Sequence, residues 1–508
     1  MVKKSVIIIM LLTLLSKLIG FFRDIILAYF YGASEISDVF LISLLIPSVI
    51  FGFIGTGIYS AFIPLYSKIE SEYGVKEGNH FTNNLINLLI IFSTFMVIIC
   101  LIFTKPLVGV FASGFEGHTM ELAIKFTRIT ISTVYFTGII YIFNGFLQTH
   151  GNHVVPSLMG LPLNLALILA IIFSSFMNIY ILPLGKVVAI ILQFLFLAIF
   201  VYKKGFVYKP VIDFSDRHLK KMMLISFPVI LSSSVEQINK LIDRTLASAI
   251  SVGGISALNY ANQLNLFIQG VFVASISAVF FPIMSKLAAK NDINGLKKSF
   301  YKTIIVISVM LIPATVGSII LSEPIVKLLF GRGAFTEEAV DMTSTALFFY
   351  SIGMVSFGLR MVINRVYYSL QDTKTPMKNS ILTVFLNIVL NFILSKYLGI
   401  GGLALATSIS GIFCTLLLFT DLKKKIGIYK LKSTIGTLTK ILTVSVLMGI
   451  LTKFVFQFLE GVLNPDLGLL ISISLGVLFY GACICFLRIE EVDEFINSFK
   501  KKLGKTST

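Results

Sequence analysis

The 508-residue chain contains no tryptophan, only four cysteines and few charged residues, which make up 13% of the sequence. The cysteines lie in apolar stretches without CxxC or Cys/His spacing, which argues against a disulfide framework and against a zinc site. Without tryptophan, tyrosine must supply any aromatic belt at a membrane surface. The low charge content, the 56% of hydrophobic residues and the mean hydropathy of +0.92 together exclude a soluble domain of ordinary composition.

Two functional classes find little support in the sequence. A membrane-embedded transferase would need paired carboxylates or a His/Asp set near a membrane face, and no loop carries one, so we expect no enzyme. The formal net charge of +17 would suit nucleic acid, but its lysines and arginines lie in short loops and no basic DNA-binding module is visible. The charge placement therefore indicates a protein whose partners are membrane lipids and not nucleic acid.

Apolar runs of about 20 residues, separated by charged or turn-forming joints, predict an all-α polytopic membrane protein with about fourteen transmembrane helices. Basic loops alternate with loops that carry almost no charge, and the positive-inside rule then puts the basic loops and both termini in the cytoplasm. The predicted spans are 5–30, 37–65, 82–104, 121–148, 154–175, 181–203, 220–249, 254–284, 300–322, 338–369, 377–397, 400–421, 435–458 and 466–488.

The chain also repeats itself. The stretch 62–69 (FIPLYSKI) returns as 280–287 (FFPIMSKL), and Leu147-Gln148 with Leu163-Asn164 returns 223 positions later as Leu370-Gln371 with Leu386-Asn387. Because each copy holds six predicted spans, both enter the membrane from the same side, as parallel repeats do. The alternative is chance similarity between apolar helices.

This repeat predicts the domain organisation. We expect two pseudo-symmetric six-helix lobes, 1–210 and 211–425, around a central cavity of the kind used for alternating access. The remainder, 426–508, is predicted to form two additional transmembrane helices and a basic cytoplasmic tail.

The first apolar run is long enough to cross a bilayer and yet contains Lys17, Arg23 and Asp24. A charge at the bilayer centre costs about 2.5 to 3.5 kcal/mol on insertion scales, so these residues require polar surroundings. At about 100° per residue, Lys17 and Asp24 fall on one stripe of the helix with Arg23 on the neighbouring face. We interpret this side as the wall of an aqueous cavity. The alternative is that Arg23 and Asp24 extend toward a helix end.

A second polar stripe lies in the span 220–249. Glu236, Asn239, Lys240 and Asp243 have the i, i+3, i+4, i+7 spacing of one helix face, and Arg244 follows directly. The stripe is either a self-neutralised structural ladder or a site for a coupling ion or substrate. A carboxylate with neutral oxygens suits a hard cation such as Na⁺.

Neutral oxygens that would suit the same ion occur in two later spans. Asn387 and Asn391 are four residues apart on one face of the eleventh span, and Thr407 lies in the twelfth. Taken alone, asparagine in a membrane helix is also a common hydrogen-bonding contact between helices.

Several stretches resemble the MurJ (MviN) family of lipid II flippases. The resemblance extends from about residue 5 to residue 425 and implies the multidrug/oligosaccharidyl-lipid/polysaccharide exporter fold. That family moves an undecaprenyl-pyrophosphate-linked peptidoglycan precursor from the inner to the outer leaflet of the bacterial plasma membrane, which serves peptidoglycan biosynthesis, cell-wall biogenesis and cell shape. The stretches are 16–24 (SKLIGFFRD), 31–33 (YGA) with Asp38, 243–248 (DRTLAS), 258–262 (LNYAN), 332–335 (RGAF), 370–376 (LQDTKTP) and 402–408 (GLALATS).

The resemblance also implies site residues. Lys17, Arg23 and Asp38 would line the central cavity, with Asp24 beside them, because a pyrophosphate needs cations in poorly hydrated surroundings. Lys17 stands where the family usually has arginine. The ammonium group of lysine is a point charge and cannot make the two parallel hydrogen bonds that a guanidinium makes to a phosphate. The residues that resemble the family's Na⁺ site are Asp243, Asn387, Asn391 and Thr407. No other cofactor is implied.

The chain departs from the family pattern at two places where cavity arginines are expected. Phe51-Gly52 stands where the family has an Arg-Arg pair, and Gln263 stands where the eighth helix usually has arginine. Each lost charge-assisted hydrogen bond would weaken the hold on a pyrophosphate by about 1.5 to 3 kcal/mol. The cations that would compensate are Lys240, Arg244 and Arg360.

We therefore expect a lipid II flippase working by alternating access, with a lipid-linked saccharide as its substrate. One alternative is an exporter of another lipid-linked oligosaccharide, or an ion-coupled drug antiporter of the same fold, since a cationic cargo would favour fewer arginines. An inactive scaffold that retains the fold is the other. The sequence indicates no protein partner.

Overall fold

The computed structural model describes residues 2–427 and 431–489, which form helices and turns without a β-strand in these ranges. The side chain of Glu236 and the basic tail after residue 489 lie outside the described residues. The helices are α1 (Val2–Tyr31), α2 (Glu35–Tyr73), α3 (Val75–Ile102), α4 (Thr104–Phe111), α5 (Gly117–Thr130), α6 (Thr133–Thr149), α7 (Val154–Leu158), α8 (Gly160–Phe176), α9 (Ile181–Lys203), α10 (Arg217–Ile250), α11 (Gly254–Ala289), α12 (Ile293–Ile320), α13 (Ser322–Phe330), α14 (Glu337–Ser369), α15 (Lys374–Ile426), α16 (Leu431–Glu460) and α17 (Pro465–Phe486).

Each of the fourteen predicted spans lies on helix in the described part of the chain, which confirms the all-α polytopic fold class. Nine of these helices are long and apolar enough to cross a membrane, or ten if the bent pair α5 and α6 counts as one span. The nine do not include α1 and α10, the helices that carry the candidate site charges, nor α11. Charge explains this for α1, because Lys17, Arg23 and Asp24 interrupt its apolar run.

Helix α15 is 53 residues long and breaks at Gly399, whose φ of 54° and ψ of −130° are not helical. A straight helix of this length would measure about 80 Å at 1.5 Å per residue, more than twice the thickness of a bilayer core. The break divides α15 into the two spans predicted as 377–397 and 400–421. The backbone near Gly402 then lies so close to Leu394 that a Cβ on Gly402 would come within 2.2 Å of the Leu394 carbonyl oxygen.

The chain divides into two compact units. Unit 1 comprises Met1–Ala257 with Arg332–Ala339, and unit 2 comprises Leu258–Gly331 with Val340–Thr508. Unit 1 includes α10, because α10 packs along α2, where the Ser226 hydroxyl donates to the Gly57 carbonyl at 3.0 Å. This division follows packing, whereas the predicted boundary at residue 210 follows homology between the repeats, and the repeat boundaries stay a prediction.

Both units contain the same turn, which supports the internal repeat. In unit 1, Gly151 has a φ of 72°, and Asn152 donates to the Leu147 carbonyl while its side chain accepts from the Val155 N–H. In unit 2, Gln371 has a φ of 57°, and Asp372 makes the equivalent bonds to Tyr367 and Thr375. The structure thus aligns Gly151 with Gln371, whereas the sequence match had paired Gln371 with Gln148, a residue of α6.

Two short helices that the sequence analysis did not predict also occupy repeated positions. Helix α4 follows α3 in unit 1, and α13 follows α12 in unit 2. Both begin with a hydroxyl residue and carry proline at their third position, Thr104-Lys-Pro106 and Ser322-Glu-Pro324. Proline in the first turn costs a helix no hydrogen bond, so this is a readable start signal.

A linker strap, residues 204–216, connects α9 to α10 and is held against α3 by asparagine side chains. Asn83 donates to the Val207 carbonyl and accepts from the Lys209 N–H, both at 3.0 Å. Asn84 makes the same pair of bonds with the backbone of Asp213, at 2.8 Å each. A side-chain amide offers the donor and acceptor that an extended backbone would otherwise find in a sheet. The strap is therefore fixed to unit 1 along its length.

The added helices α16 and α17 pack against each other, and α16 packs against α12. The Tyr480 hydroxyl of α17 donates to the Val309 carbonyl of α12 at 2.7 Å, so the apolar contact also has a polar anchor. The predicted pair of C-terminal helices is thus present within unit 2.

Asp372 caps α15 and ties its two ends together. Its carboxylate accepts from the Thr375 N–H and hydroxyl and from Lys425 Nζ, the last at 2.8 Å. Partial burial by itself would raise the pKa of Asp372, but the hydrogen bonds from Lys425 and Thr375 outweigh it and lower the pKa to about 2. The carboxylate is therefore ionised throughout the physiological range.

We predict that Asp372→Asn lowers the free energy of unfolding by about 1 kcal/mol near neutral pH, the scale of a partly exposed ion pair. Because the folded pKa lies below the unfolded value, this stabilisation is complete above about pH 4 and is lost as the pH falls toward about 2. Thermal melts of the detergent-solubilised protein, followed by circular dichroism, should show the two melting temperatures converging over that interval.

The matched control is Lys425→Gln, which removes the ion pair but leaves the Thr375 cap. Its effect near neutral pH should be smaller than that of Asp372→Asn. A constant difference between wild type and Asp372→Asn down to the lowest pH would contradict the assignment.

Candidate functional site

Arg23 and Asp24 form an ion pair on α1 that is braced by a second helix. Arg23 Nη2 and Nε donate to Asp24 Oδ1 at 2.7 and 3.1 Å, and Arg23 Nη1 donates to Asn164 Oδ1 of α8 at 3.1 Å. Asp24 is buried, while a quarter of the Arg23 side chain is accessible, 23% against 3%. The guanidinium is therefore held in one orientation with part of its edge open.

Small residues let α1 and α8 approach closely enough for these bonds. A Cβ on Gly160 would come within 2.1 Å of the Ser16 hydroxyl, and one on Gly20 would lie 3.4 Å from the Asn164 amide nitrogen. Further along, the Tyr31 hydroxyl donates to Ser174 at 2.8 Å. The helices α1 and α8 run parallel, because residues 16, 20 and 31 of α1 contact residues 160, 164 and 174 of α8 in the same order. Such close packing at small residues is typical of membrane helices.

Lys17 does not share the surroundings of Asp24. Lys17 is exposed on α1, whereas Asp24 is buried and paired with its neighbour Arg23. Lys17 and Asp24 are seven positions apart, which corresponds to about 10 Å along the helix, so the two residues of this stripe have different environments. The expectation of a single continuous polar stripe is corrected to this extent, and a cavity role for Lys17 stays a prediction.

The sequence analysis missed Lys186 of α9. This lysine is partly buried and lies within electrostatic range of Arg23. The signal was available, because Lys186 is the only charged residue between Ile181 and Val201 in an otherwise apolar span. A lone lysine in such a span is a candidate for function by the same argument that selected Arg23.

Asp38 lies at another point of unit 1, in the first turn of α2. Its Oδ1 accepts from the Ser256 N–H and hydroxyl at 2.7 Å each, and its Oδ2 accepts from the Gly253 N–H at 2.8 Å. The carboxylate therefore caps the start of α11, where free N–H groups and the helix dipole favour negative charge. The predicted cavity role of Asp38 is untested, and in this state its oxygens bind protein.

Three glycines bring the loops around Asp38 together. Gly32, Gly253 and Gly333 all have positive φ, at 62°, 78° and 65°. A Cβ on any of them would come within 2.3 Å of a backbone oxygen: that of Ala334 for Gly32, Ala33 for Gly253 and Tyr29 for Gly333. Only glycine satisfies both the conformation and the space at these positions.

The predicted site residues of α10 differ in their exposure and in their hydrogen-bond partners. Arg244 donates through Nη1 to the Ile255 carbonyl at the start of α11 and lies within electrostatic range of Asp38. Lys240 is exposed one turn earlier, and Asp243 is partly buried between them. Arg244 therefore belongs with the Asp38 cap in unit 1, which is a different place from the Arg23 pair.

Three of the four predicted Na⁺ ligands come together within unit 2. Asn391 Nδ2 donates to Asn387 Oδ1 at 2.9 Å, and Asn387 Nδ2 lies 3.5 Å from the Thr407 hydroxyl. Both asparagines are buried. Asp243, the fourth predicted ligand, belongs to unit 1. The neutral amide and hydroxyl oxygens are of the type that Na⁺ accepts, and the same chain of bonds is what an interhelical contact would show.

The structure explains the absence of arginine at one of these positions, Phe51. Phe51 is almost fully buried, and its ring packs so closely on Gly138 that a Cβ there would lie 2.7 Å from it. An arginine at position 51 would be confined in that contact.

The third candidate substitute, Arg360 of α14, lies in unit 2 with its guanidinium 5.6 Å from the Phe357 ring centre.

We predict that Gly253→Ala lowers the melting temperature far more than Gly74→Ala. Both glycines have φ near 80°, so both substitutions carry the left-handed penalty of about 1 to 2 kcal/mol. Only Gly253 faces a backbone oxygen, since no atom lies within 4 Å of a Cβ on Gly74. A thiol-reactive dye that reports exposure of buried Cys100 and Cys414 would follow unfolding. Equal losses in the two variants would refute the close approach.

Comparison with known proteins identifies the family. A family model described as lipid II flippase MurJ matches residues 27–472. A probable lipid II flippase MurJ from Vibrio cholerae is 30% identical over 442 residues, covering 84% of each chain. The corresponding Thermotoga maritima protein is 28% identical and covers 95% of this chain and 96% of its own.

Solved structures agree. A lipid II flippase MurJ in an inward closed conformation matches with a TM-score of 0.83 at 28% identity, covering 95% of this chain and 98% of that one. An inward-facing multidrug resistance transporter of the MATE family matches with a TM-score of 0.69 at 16% identity, covering 83% and 98%, which shows a shared fold alone. With its many apolar helices, this chain is a multi-pass protein of the bacterial inner membrane, and it belongs to the lipid II flippase MurJ family.

Proposed function

We propose that the protein moves undecaprenyl-pyrophosphate-linked peptidoglycan precursor from the inner to the outer leaflet by alternating access. The observation that carries this proposal, beyond family membership, is the charge balance around Arg23. Two cations, Arg23 and Lys186, stand against one carboxylate, Asp24. Charge-assisted bonds to a phosphate are strongest where water is scarce, as it is within a membrane protein.

The same charge balance separates the proposal from its alternatives. A drug antiporter with a cationic cargo would need an excess of carboxylate at this place, and the cluster has an excess of cation. An exporter of another lipid-linked oligosaccharide would share the anionic group and differ only in the sugars. The family relatives favour lipid II over those other saccharides.

The Asp38 cap suggests how one state is stabilised. Its three hydrogen bonds tie α2 to the start of α11, and the three glycines bring the neighbouring loops into contact. We propose that this junction is closed here and that opening it is part of the transport cycle. Each hydrogen bond to a carboxylate contributes about 1.5 to 3 kcal/mol. The junction is therefore strong enough to stabilise one conformation and weak enough to open during the transport cycle.

Further parts of the proposal concern orientation, chemistry and partners. The positive-inside pattern supports cytoplasmic termini. The relatives are named as flippases, which supports transport without catalysis. The proposed partners are the lipid-linked substrate and membrane lipids, and the cavity between the predicted lobes remains part of the proposal.

We also propose that Na⁺ is the coupling ion, held in part by Asn387, Asn391 and Thr407. Their oxygens are neutral and already adjacent, which suits a monovalent hard cation. A bound cation would draw these side chains into one arrangement and so favour one state of unit 2. Asp243 is the predicted carboxylate of the site.

We predict that Arg23→Gln abolishes rescue of a bacterium depleted of its own lipid II flippase. Loss of a charge-assisted bond costs about 1.5 to 3 kcal/mol, roughly a 10- to 100-fold weaker hold on the headgroup. Arg23→Lys should rescue partly, because it keeps the charge without the fork that reaches both Asp24 and Asn164. Precursor accessible at the outer leaflet is the measurement.

The control is Lys453→Gln, which removes an exposed cation from α16. This variant should support growth like wild type, with membrane levels of all variants checked by immunoblot. Full rescue by Arg23→Gln at normal abundance would show that the headgroup does not depend on Arg23.

We predict that replacing K⁺ by Na⁺ raises the melting temperature of the wild type and not of Asn387→Ala. A ligand present at 100 times its dissociation constant stabilises by about 2.7 kcal/mol. Asn379→Ala is the control, since Asn379 is a buried asparagine of the same helix that binds Asp421 instead. Asn379→Ala should lose stability but keep the Na⁺ shift. A wild type that does not distinguish Na⁺ from K⁺ would exclude the ion site.

A further inference from the structure

Lys186 is a cation in a membrane helix of unit 1 that the sequence analysis did not single out. It lies five residues into α9, about 8 Å from the helix end, at a depth where an apolar span faces hydrocarbon or protein. No carboxylate lies within ion-pair distance of it among the described residues. Another cation, Arg23, lies within electrostatic range of it.

The packing register explains how Lys186 and Arg23 meet. A Cβ on Gly185 of α9 would lie 2.0 Å from the Ala170 side chain of α8, which places Lys186 beside that part of α8. On α1, Arg23 contacts Asn164 of α8, and Tyr31 contacts Ser174 of α8. Arg23 therefore lies beside the part of α8 between Asn164 and Ser174. Both cations thus approach the same middle segment of α8, one from each neighbouring helix.

The ordinary alternative is that Lys186 extends toward the nearer membrane surface, as lysines near helix ends do. That surface lies toward Ile181, where α9 begins opposite the end of α8. Arg23 lies in the other direction, deeper along α8. A lysine extended toward the surface would move away from Arg23, yet the two charges remain within range of each other.

Two cations and one carboxylate, which Arg23 binds, leave an excess positive charge in a poorly hydrated place. Such a charge costs several kcal/mol unless an anion neutralises it. Asp24 is already committed, since its Oδ1 accepts two bonds from Arg23. An anionic ligand placed between the two cations would neutralise this excess charge.

We propose that Arg23 and Lys186 together form a site for a diphosphate, with one phosphoryl group on each cation. Asn164 acts as a positioning residue, because it accepts from Arg23 Nη1 and directs the free edge of the guanidinium. The proposal rests on the proposed function and deepens it by naming the second cation. It also gives a reason why the chain tolerates phenylalanine, glycine and glutamine where arginines are usual in the family.

The test compares Lys186→Met with wild type in binding to undecaprenyl diphosphate and undecaprenyl monophosphate. The purified full-length protein is reconstituted in neutral-lipid nanodiscs for the titrations. We expect roughly 10- to 100-fold weaker binding of the diphosphate by Lys186→Met and a much smaller change for the monophosphate. Lys186→Arg should restore diphosphate binding, because it keeps the charge. Lys203→Gln, at the other end of α9, should bind like wild type.

A second measurement separates this role from a structural one. Removing a cation that is repelled by Arg23 should raise the melting temperature of the ligand-free protein, whereas removal of a structural contact should lower it. Lys186→Met should therefore be more stable and bind less. If wild type binds neither lipid, the proposed function is wrong. If wild type and Lys186→Met bind the diphosphate equally, only the assignment of Lys186 is wrong.

An independent observation concerns the linker strap. Its backbone is fixed to α3, yet it exposes Val207, Ile212 and Phe214, which are 59%, 56% and 68% accessible. The strap begins directly after the last residue of α9, a helix long and apolar enough to cross a membrane, so we expect these side chains near the membrane surface. Apolar side chains at that level are typical of an interfacial contact.

The charges around the strap fit an anionic lipid. Six cations flank or belong to it, namely Lys203, Lys204, Lys209, Arg217, Lys220 and Lys221. The two acidic residues are engaged locally, because Asp213 accepts from the Ser215 N–H and Asp216 caps α10 by accepting from the His218 N–H. Each basic residue near an anionic surface contributes about 1 kcal/mol of attraction.

We infer that the linker strap is a binding surface for anionic phospholipid headgroups, with the asparagines of α3 keeping its apolar side chains turned outward. Because the chain lacks tryptophan, Phe214→Trp creates a single fluorescent reporter at the strap. The protein is reconstituted in bilayers containing either brominated phosphatidylglycerol or brominated phosphatidylcholine at equal density. We expect quenching by both lipids, and quenching by phosphatidylglycerol at least twofold stronger.

Two comparisons test the cause. Phe176→Trp places a reporter at an equally exposed position, 75% accessible, within the uncharged stretch 160–185, and it should show no preference between the lipids. Adding Lys209→Gln, Lys220→Gln and Lys221→Gln to Phe214→Trp should remove the preference and keep the quenching. An unquenched Phe214→Trp reporter, or equal quenching by both lipids, would overturn the inference.

Discussion

The ion pair between Arg23 and Asp24, braced by Asn164, is the interaction on which the candidate site depends. A charged residue in a membrane helix is tolerated when its hydrogen bonds are satisfied inside the protein. Here the acid is buried, the base is held by two helices, and small residues at the contact of α1 with α8 permit the approach. The arrangement orients one guanidinium edge and leaves it available, which is what recognition of a phosphate requires.

The internal repeat shows how one position has diverged in the two halves. The sequence match at an offset of 223 residues pairs Asn164 of unit 1 with Asn387 of unit 2, whereas the turns before them align at an offset of 220. In unit 1 the amide accepts from an arginine, and in unit 2 the matched amide joins another asparagine and a threonine. The shared turn and the shared short helices α4 and α13 support the predicted internal repeat. The side chains that contact the two asparagines differ, because the partner in unit 1 is cationic and the partners in unit 2 are neutral.

The residues around Asp38 show a different use of charge. This carboxylate is buried, but its environment consists of backbone N–H groups at a helix start and one serine hydroxyl. Such donors stabilise an anion without a cation in direct contact. The glycines beside it make the junction specific, because their positive φ values and close backbone contacts allow no other residue without displacement. Arg23 and Asp38 therefore serve two separate places in unit 1, although both come from the first two helices.

The sequence by itself determined the number and order of the long helices, because hydrophobic runs of bilayer length are set by local composition. It also identified the charged residues of α1 and α10, since charge in an apolar run stands out without a structure. The tertiary structure decided their partners: Asp24 faces Arg23 and not Lys17, Asp38 caps α11, and Lys186 of a distant helix approaches Arg23. These pairings depend on how helices pack at small residues, and that contact geometry joins positions far apart in the chain, so no local pattern encodes it.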